Sequence, residues 1–263
     1  QVSAKPRVAL VVGNADYSSP SVSRLKNPVR DAKGMTKALK KLGFDVIHVE
    51  NADQEAMETA FRDFGQKLKA APKAKEKVGL FYYSGHGAQY NGMNYLLSVE
   101  TDVAGTGDTV LAYKHKGIVP LTALFKEVNK VDDTTANIFI IDACRDNPMI
   151  AKNEVGEGST KSIKGLEWTT EVEGNASEDF SDPNNSLIAY ATSRGKVAED
   201  GYGVNSPYTK HLLERITEEG LSANSLFKEV GKQVKIETSY KQQPWQAGTL
   251  DKDFYFAGKA LKR

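Results

Sequence analysis

The segment KVGLFYYSGHG, residues 77–87, is an apolar run that stops abruptly at a Ser-Gly-His-Gly turn. An apolar run of this kind predicts a β-strand, and RVALVVGN at residues 7–14 is a continuous apolar run typical of a strand buried on both faces. Another run, NIFIIDACRD at residues 137–146, ends at Ala-Cys-Arg. In open α/β sheets, ligands bind at the carboxyl ends of the strands. The two strand ends therefore make His86 and Cys144 candidates for one site.

Strand and helix signals alternate along the flanking sequence. Further strands are predicted for RVALVVGN (7–14), DVIHVE (45–50), SLIAYAT (186–192) and a closing DFYF (253–256). Helices are predicted over 29–42, from a cap at Asp53 to about residue 70, over 121–129, from Pro207, and from near Ser222. Strands separated by helices favour a mostly parallel sheet with right-handed crossovers.

Composition excludes several classes of protein. The chain has 263 residues, of which 40% are hydrophobic and 26% charged, as in an ordinary globular protein. It carries 35 Lys and Arg against 34 Asp and Glu. This balance argues against a general binder of nucleic acid or of anionic membranes, which needs a basic excess. The apolar runs are also much shorter than the roughly 18 residues of a membrane span.

The character of the chain changes over residues 148–185, where Gly, Ser, Glu, Lys and Asn dominate and apolar periodicity disappears. Such a long loop inside a domain is usually functional. We therefore expect one domain over 1–263, with a larger part (about 1–148), a linker loop (about 149–185) and a smaller part (about 186–263).

The chain contains one cysteine, Cys144, so an intramolecular disulfide is excluded and a cysteine-based metal cluster is not expected. A lone cysteine is either a small buried hydrophobe or a reactive thiol, and composition does not decide between them. The chain begins at Gln1 rather than Met, so we expect an upstream segment to have been removed. A secretory signal peptide is one candidate, which leaves a cytoplasmic and an exported location open.

A thiol attacks a carbonyl carbon well when a nearby imidazole takes its proton, which is the chemistry that His86 and Cys144 would supply. The glycines flanking His86 let the backbone approach a substrate closely. The amides of Gly87 and Cys144 could then point at a developing oxyanion, where each donor is worth about 3 kcal/mol. The alternatives are a hydrogen-bonded turn histidine and a core cysteine, and the residues alone leave both open.

The two strand ends also carry a family resemblance. YSGHG at residues 83–87 and DACRDNP at residues 142–148 resemble the His and Cys boxes of metacaspases, paracaspases and bacterial orthocaspases. Animal caspases place the His about 50 residues before a Gln-Ala-Cys motif. Here the separation is 58 residues, and Asp142 stands in place of the Gln. RVALVVGN, LKNPVRDA, SLIAYATSRG, DGYGVNSPYT and QQPW…DFYF extend the resemblance over nearly the whole chain.

This resemblance implies both a fold and an activity. The fold is the caspase-like α/β three-layer sandwich, in which a mostly parallel six-stranded central sheet has helices on both faces. The activity is that of a cysteine endopeptidase, with Cys144 as nucleophile and His86 as its proton-transfer partner. Its partners would be peptide or protein substrates, without nucleic acid or membrane, and we expect a monomer.

The resemblance also implies a preference for Arg or Lys before the cleaved bond, because metacaspases and paracaspases bind these residues with acidic groups. Asp31, Ser84 and Asp142 fall on pocket positions, and Asp200 lies near a further acid of paracaspases. Carboxylates around one cavity repel each other unless a cation joins them. The alternatives are a charge that favours the helix N-terminus for Asp31 and a strand-end acceptor for Asp142.

Three further expectations come from relatives. Residues 197–199 are expected to lie extended and to pair with the substrate backbone. Self-cleavage in the linker loop after Lys152, Lys161 or Lys164 is weighed equally with a passive insertion. Some metacaspases need calcium, but the acids here are scattered rather than arranged as a calcium cage, so no cofactor or metal is indicated. These acids are Asp132, Asp133, Glu178, Asp179 and Asp182.

Two functions other than a cysteine peptidase are considered. A non-catalytic caspase-like module would bind peptides or partners and would have no need of His86 and Cys144. An α/β hydrolase of another family lacks support, because the sequence has no G-x-S-x-G elbow, no phosphate-binding glycine loop and no metal-spaced His pair.

Overall fold

The computed structural model describes residues 6–72, 77–90, 93–102, 116–131, 135–144, 183–193 and 196–259. The strands are β1 (Arg7–Gly13), β2 (Asp45–Glu50), β3 (Lys77–Ser84), β4 (Gly87–Tyr90), β5 (Met93–Leu97), β6 (Ile118–Pro120), β7 (Thr135–Asp142), β8 (Ser186–Tyr190) and β9 (Trp245–Gly248). The helices are α1 (Pro28–Lys41), α2 (Gln54–Ala70), α3 (Leu121–Val128), α4 (Pro207–Arg215) and α5 (Ala223–Glu237). Within these ranges, none of the helices combines the length and the apolar character needed to cross a membrane.

The central sheet has six strands in the order β2-β1-β3-β7-β8-β9. All neighbours are parallel except β9, which runs antiparallel to β8. Six of the seven residues of β1 are buried, as its continuous apolar sequence predicts, and all eight residues of β3 are buried too. The prediction of a mostly parallel six-stranded sheet is confirmed.

Helices cover both faces of this sheet. Alternate residues of β1 point to opposite sides, so that Ala9 and Val11 join one apolar cluster while Leu10 and Val12 join another. Buried residues of α1, α4 and α5 complete the first cluster, and those of α2 and α3 complete the second. This is the predicted three-layer α/β sandwich.

Capping residues begin the helices where the sequence indicates. The Asp53 carboxylate accepts a hydrogen bond from the Ala56 amide at 2.8 Å and caps α2. The Ser206 hydroxyl caps α4 by accepting from the Thr209 amide at 3.1 Å, and proline occupies the next position. Each cap satisfies a backbone donor that has no partner inside the helix.

The closing strand was predicted in the wrong place. The sixth strand is β9, sequence WQAG, whereas residues 253–256 form only an isolated bridge between Tyr255 and Ser222. The rings of Phe254 and Phe256 pack 4.9 Å apart, and the Phe256 carbonyl accepts from the Arg7 guanidinium at 2.6 Å. An aromatic segment is equally suited to a strand and to core packing, so its composition does not decide between them.

A small antiparallel sheet, β4-β5-β6, was not predicted. It begins at Gly87, directly after the Ser-Gly-His turn, and lies beside the carboxyl end of β3. The Leu97 amide, at the end of β5, donates to the His86 carbonyl at 3.1 Å. The small sheet therefore supports the backbone of the candidate site.

Candidate active site

The two predicted catalytic residues follow neighbouring strands in the same register. Ser84, the last residue of β3, pairs with Asp142, the last residue of β7. His86 and Cys144 each come two residues later. The Gly85 amide donates to the Asp142 carbonyl at 3.4 Å, so the two chains remain together past the last pair.

The two glycines beside His86 allow close packing around it. A Cβ atom at Gly87 would lie 2.8 Å from the Ala143 Cβ and 3.1 Å from the Cys144 carbonyl oxygen. A Cβ atom at Gly85 would lie 2.6 Å from the Tyr83 hydroxyl. Because real Cβ contacts are longer, a larger residue at position 87 would push the two strand ends apart, and one at position 85 would displace the Tyr83 and Tyr17 hydroxyls. The Gly-His-Gly sequence thus has a packing reason in addition to its predicted role in catalysis.

The backbone of His86 is held from several sides. Its amide donates to the Tyr17 hydroxyl at 2.8 Å, and its carbonyl accepts from the Tyr83 hydroxyl at 2.7 Å. The rings of Tyr17 and His86 meet edge to face with centroids 4.6 Å apart. His86 is fully buried. These contacts leave its imidazole little freedom to change orientation.

A backbone carbonyl orients the imidazole. The Nε2 atom of His86 lies 2.8 Å from the Ser23 carbonyl oxygen, which can only accept a hydrogen bond. Nε2 therefore carries a proton, and in the neutral ring Nδ1 carries the lone pair. The sequence does not reveal this orienting group, because a main-chain carbonyl has no side-chain signature.

The hydroxyl of Tyr17 is a neutral phenol. Burial raises the pKa of Tyr17 well above its ordinary value, despite the opposing hydrogen bonds from Tyr83 and the His86 backbone. The Asp200 charge raises it further. The loop that carries Tyr17 and Ser23 thus contributes a side chain and a carbonyl to the surroundings of His86.

The sulfur of Cys144 is buried but has polar contacts. Cys144 is 2% exposed and packs in the apolar cluster that includes Ala191 and Ala198. Its Sγ atom accepts from the Ala198 amide at 3.1 Å and lies 3.5 Å from the Ala198 carbonyl. Burial is common to a core cysteine and to a covered nucleophile. The amide stabilises negative charge on the sulfur, whereas the Ala198 carbonyl accepts the thiol proton and stabilises the neutral form.

Asp31 and Ser84 are in direct contact. Asp31 lies in the first turn of α1 and accepts from the Ser84 hydroxyl at 3.0 Å. Its other oxygen accepts from the Asn205 side chain at 2.9 Å and from the Ser206 amide at 3.1 Å. Asp31 is fully buried.

Asp142 shares one of these partners. Its Oδ2 atom accepts from the Ser206 hydroxyl, and also from the Thr209 hydroxyl at 2.7 Å. Asp142 is fully buried too. Ser206 therefore contacts both carboxylates, and the structure brings Asp31, Ser84 and Asp142 into one polar cluster. The N-cap signal of Ser206 before Pro207 was readable in the sequence, but its contact with the acids was not.

Burial and the charge of this cluster raise the pKa values of two neighbouring tyrosines, Tyr82 and Tyr208. Burial raises the pKa of Tyr82 well above its usual range, and the charges of Asp31 and Asp142 raise it further. Burial and the Asp142 charge do the same for Tyr208. Both phenols stay protonated at neutral pH, so they add no negative charge to that of the two carboxylates.

Asp200 has hydrogen-bond partners different from those of Asp31, Ser84 and Asp142. Its carboxylate accepts from the Lys26 amide at 2.6 Å and from the Asn27 amide at 3.3 Å, just before α1. Its carbonyl accepts from the Asn27 side chain at 2.6 Å. Asp200 thus joins the segment that follows Ala198 to the loop that carries Ser23.

Several predicted residues lie outside the described part of the chain. These are Lys152, Lys161, Lys164, Asp132, Asp133, Glu178, Asp179 and Asp182. Among the residues that the structure does describe, no group of three or more His, Cys, Asp or Glu could hold a metal ion.

Comparison with known proteins identifies the family. The model of the caspase domain, a peptidase family, matches residues 6–255. Human mucosa-associated lymphoid tissue lymphoma translocation protein 1 is 28% identical over 142 residues, which are 54% of this chain and 15% of the human protein. Its mouse homologue matches with the same identity and the same coverage. Because the family model covers nearly the whole chain, this protein belongs to the caspase-domain family of cysteine peptidases.

Proposed function

We propose that this protein is a cysteine endopeptidase that cleaves peptide bonds after Arg or Lys. The observation that carries the proposal is the shared register of β3 and β7, in which His86 and Cys144 each follow the Ser84–Asp142 pair by two residues. Family membership supports a peptidase function in general. The identity of the two catalytic residues and the specificity are our inference.

In the proposed mechanism, Nδ1 of His86 accepts the proton of the Cys144 thiol. The thiolate attacks the carbonyl carbon after Arg or Lys, and the amides of Gly87 and Cys144 stabilise the oxyanion. When the tetrahedral intermediate collapses, the C–N bond breaks and His86 protonates the leaving amine. His86 then takes a proton from water, and the resulting hydroxide attacks the thioester carbonyl. The C–S bond breaks, and the Cys144 thiolate recovers its proton from His86. The Ser23 carbonyl keeps Nε2 protonated throughout, so that Nδ1 remains the base.

Substrate binding requires a movement around Ala198, because its amide and carbonyl contact the sulfur. We expect residues 197–199 to move off the thiol and to pair with the substrate backbone as an added strand. In this proposal, the arrangement in which Ala198 contacts the sulfur is that of the protein without substrate.

The specificity proposal is supported by the two buried carboxylates that share Ser206. A guanidinium or ammonium group entering beside Asp31 and Asp142 would relieve their mutual repulsion. The contacts of Asp200 fit a role in holding two loops together at least as well as a role in the pocket.

Fluorogenic peptides ending in Arg, Lys or Asp test the proposal directly, with Cys144→Ala protein as the control. We expect hydrolysis after Arg and Lys, none after Asp, and none by the variant. A clear preference for Asp would overturn the pocket assignment. Equal activity of the variant would overturn the nucleophile.

Self-processing in the linker loop is a separate proposal. With basic specificity, cleavage after Lys152, Lys161 or Lys164 is the expected form. Intact-mass measurements should show fragments for the wild-type protein and one full-length species for Cys144→Ala. If the wild-type protein and the variant both remain full length, self-processing is ruled out, but the peptidase proposal is unaffected.

A non-catalytic peptide-binding module is the second candidate, and the Ala198 carbonyl favours it, because it accepts from the Cys144 thiol at 3.5 Å and so stabilises the neutral form. Incubation with an Arg-based irreversible electrophile distinguishes the two. Covalent labelling at Cys144 is expected of a peptidase, whereas reversible binding without labelling would support the binding module.

A further inference from the structure

A groove of about 570 Å³ lies between helix α5 and strand β9. Lys228, Lys232 and Lys235 line it, at spacings that place them on one face of α5. Its lining contains no Asp or Glu. In the part of the chain that the structure describes, no ion pair involves any of these lysines. The whole chain has a net charge of +1, so this groove is a local concentration of positive charge.

Apolar side chains form the rest of the opening. Ile236, Tyr240 and Trp245 line the groove and are 55%, 67% and 42% exposed. They are three of the five large hydrophobic residues that are exposed in the described ranges. Exposed apolar residues scattered singly need no explanation, but a cluster bordered by charge marks an interaction surface.

Tyr240 is presented by a strained turn. Ser239 and Tyr240 have φ angles of 50° and 62°, a region that residues other than glycine rarely adopt. The Tyr240 amide donates to the Lys235 carbonyl at 2.7 Å, which ties this turn to the end of α5. Strain of this kind persists where the surrounding structure imposes it, and it is frequent at binding sites.

The same turn is connected to the candidate active site. The Gln242 side chain accepts from the Glu199 amide at 3.0 Å and donates to the Ala191 carbonyl at 2.9 Å. The adjacent Ala198 amide donates to the Cys144 sulfur at 3.1 Å. Trp245 pairs with Tyr190, the last residue of β8, so this lining residue lies at the edge of the sheet that carries Cys144.

We propose that this groove, the α5–β9 groove, binds an acidic segment of a protein substrate that also carries apolar side chains. The positive charge selects the acids, and the exposed rings and Ile236 receive the apolar side chains. As a site that recruits substrates, it rests on the proposed peptidase function. A second copy of the chain fits less well, because a two-fold interface would bring the same lysine-rich surface from both copies together.

Binding can be measured without catalysis. The probe is a fluorescein-labelled peptide, Gly-Asp-Glu-Leu-Trp-Glu-Asp-Gly, and its control has Asn and Gln in place of the acids. In fluorescence anisotropy with Cys144→Ala protein, we expect the acidic peptide to bind more tightly than the control. Combining Lys228→Gln, Lys232→Gln and Lys235→Gln should weaken binding about tenfold, the worth of three exposed ion pairs. Lys37→Gln, Lys40→Gln and Lys41→Gln on α1 remove the same charge elsewhere and should change nothing.

The kinetic arm compares an Arg-ending peptide with and without the acidic extension. The extension should lower KM about tenfold in wild-type protein, and the α5 triple variant should lose this gain while cleaving the short peptide normally. If the acidic and control peptides bind equally, the α5–β9 groove proposal is overturned. A dimer in light scattering that the α5 triple variant dissociates also overturns it. Selective binding without any hydrolysis would instead retain the surface and reject the peptidase function.

Discussion

The carboxyl ends of β3 and β7 are built alike but held differently. Each places one polar residue, Ser84 or Asp142, two positions before one predicted catalytic residue. At the β3 end, hydroxyls and a carbonyl hold both the main chain and the ring of His86. At the β7 end, the sulfur of Cys144 contacts the separate segment at Ala198.

This difference suggests that the two strand ends have different roles in catalysis. A general base must keep one tautomer and one direction through the whole reaction, and fixed donors and acceptors provide that. A nucleophile must be reached by the substrate, so a segment that covers it has to move. In our proposal, the β3 end supplies the rigid part of the site and the β7 end supplies the part that opens.

The largest effects are expected at the two predicted catalytic side chains. Cys144→Ala should lower kcat by at least about 10⁴-fold, because no covalent intermediate can form. His86→Ala should cost about 10²- to 10⁴-fold and leave a slow reaction whose rate rises with pH as more thiolate is present. Single-turnover assays with an Arg-ending peptide measure both. Equal residual rates for the two variants, with no pH dependence, would contradict different roles for the two strand ends.

The next effect compares the paired residues Asp142 and Ser84. Asp142→Asn keeps the shape but removes a charge, and should lower kcat/KM for Arg-ending peptides about 10- to 200-fold. Ser84→Ala removes one of the hydrogen bonds to the Asp31 carboxylate but no charge from the cluster, and should cost about fivefold. Thermal unfolding of both variants controls for folding. Unchanged kcat/KM for Asp142→Asn would mean that the charge of Asp142 has no role in the pocket.

Tyr17 tests how strongly the β3 end is held. Tyr17→Phe keeps the ring beside His86 but removes the hydroxyl that accepts from the His86 amide. It should lower kcat about five- to tenfold. KM for Arg-ending peptides should stay unchanged, because the phenol does not belong to the Asp31–Asp142 cluster. A rise in KM with unchanged kcat would assign Tyr17 to substrate binding instead.

Ala198 tests the β7 end, with the smallest expected effect. Ala198→Pro removes the amide that donates to sulfur and should slow alkylation of Cys144 by iodoacetamide at neutral pH about fivefold. Ala198→Gly retains the amide and is the matched control. Circular dichroism shows whether the proline variant keeps its fold. Faster alkylation of the folded proline variant would indicate that the segment mainly shields the thiol.

Local patterns predicted much of this architecture. Apolar runs predicted β3 and the strands beside it, because a strand buried on both faces has no polar alternation. Asp53 and Pro207 predicted helix starts through capping geometry. The same reasoning failed at residues 253–256, where aromatic side chains fill the core and β9 takes the position beside β8.

The sequence alone determined which chemistry is available: one thiol, one glycine-flanked imidazole, and acids at Asp31 and Asp142, in an order that resembles caspase relatives. Tertiary structure decided how these groups are arranged. It directed the Ser23 carbonyl at His86, the Ala198 amide at the sulfur, and Ser206 at both carboxylates. Each of these contacts joins residues more than fifty positions apart through a main-chain group or a small hydroxyl. Such groups occur throughout the sequence, so only folding determines which of them reach the site.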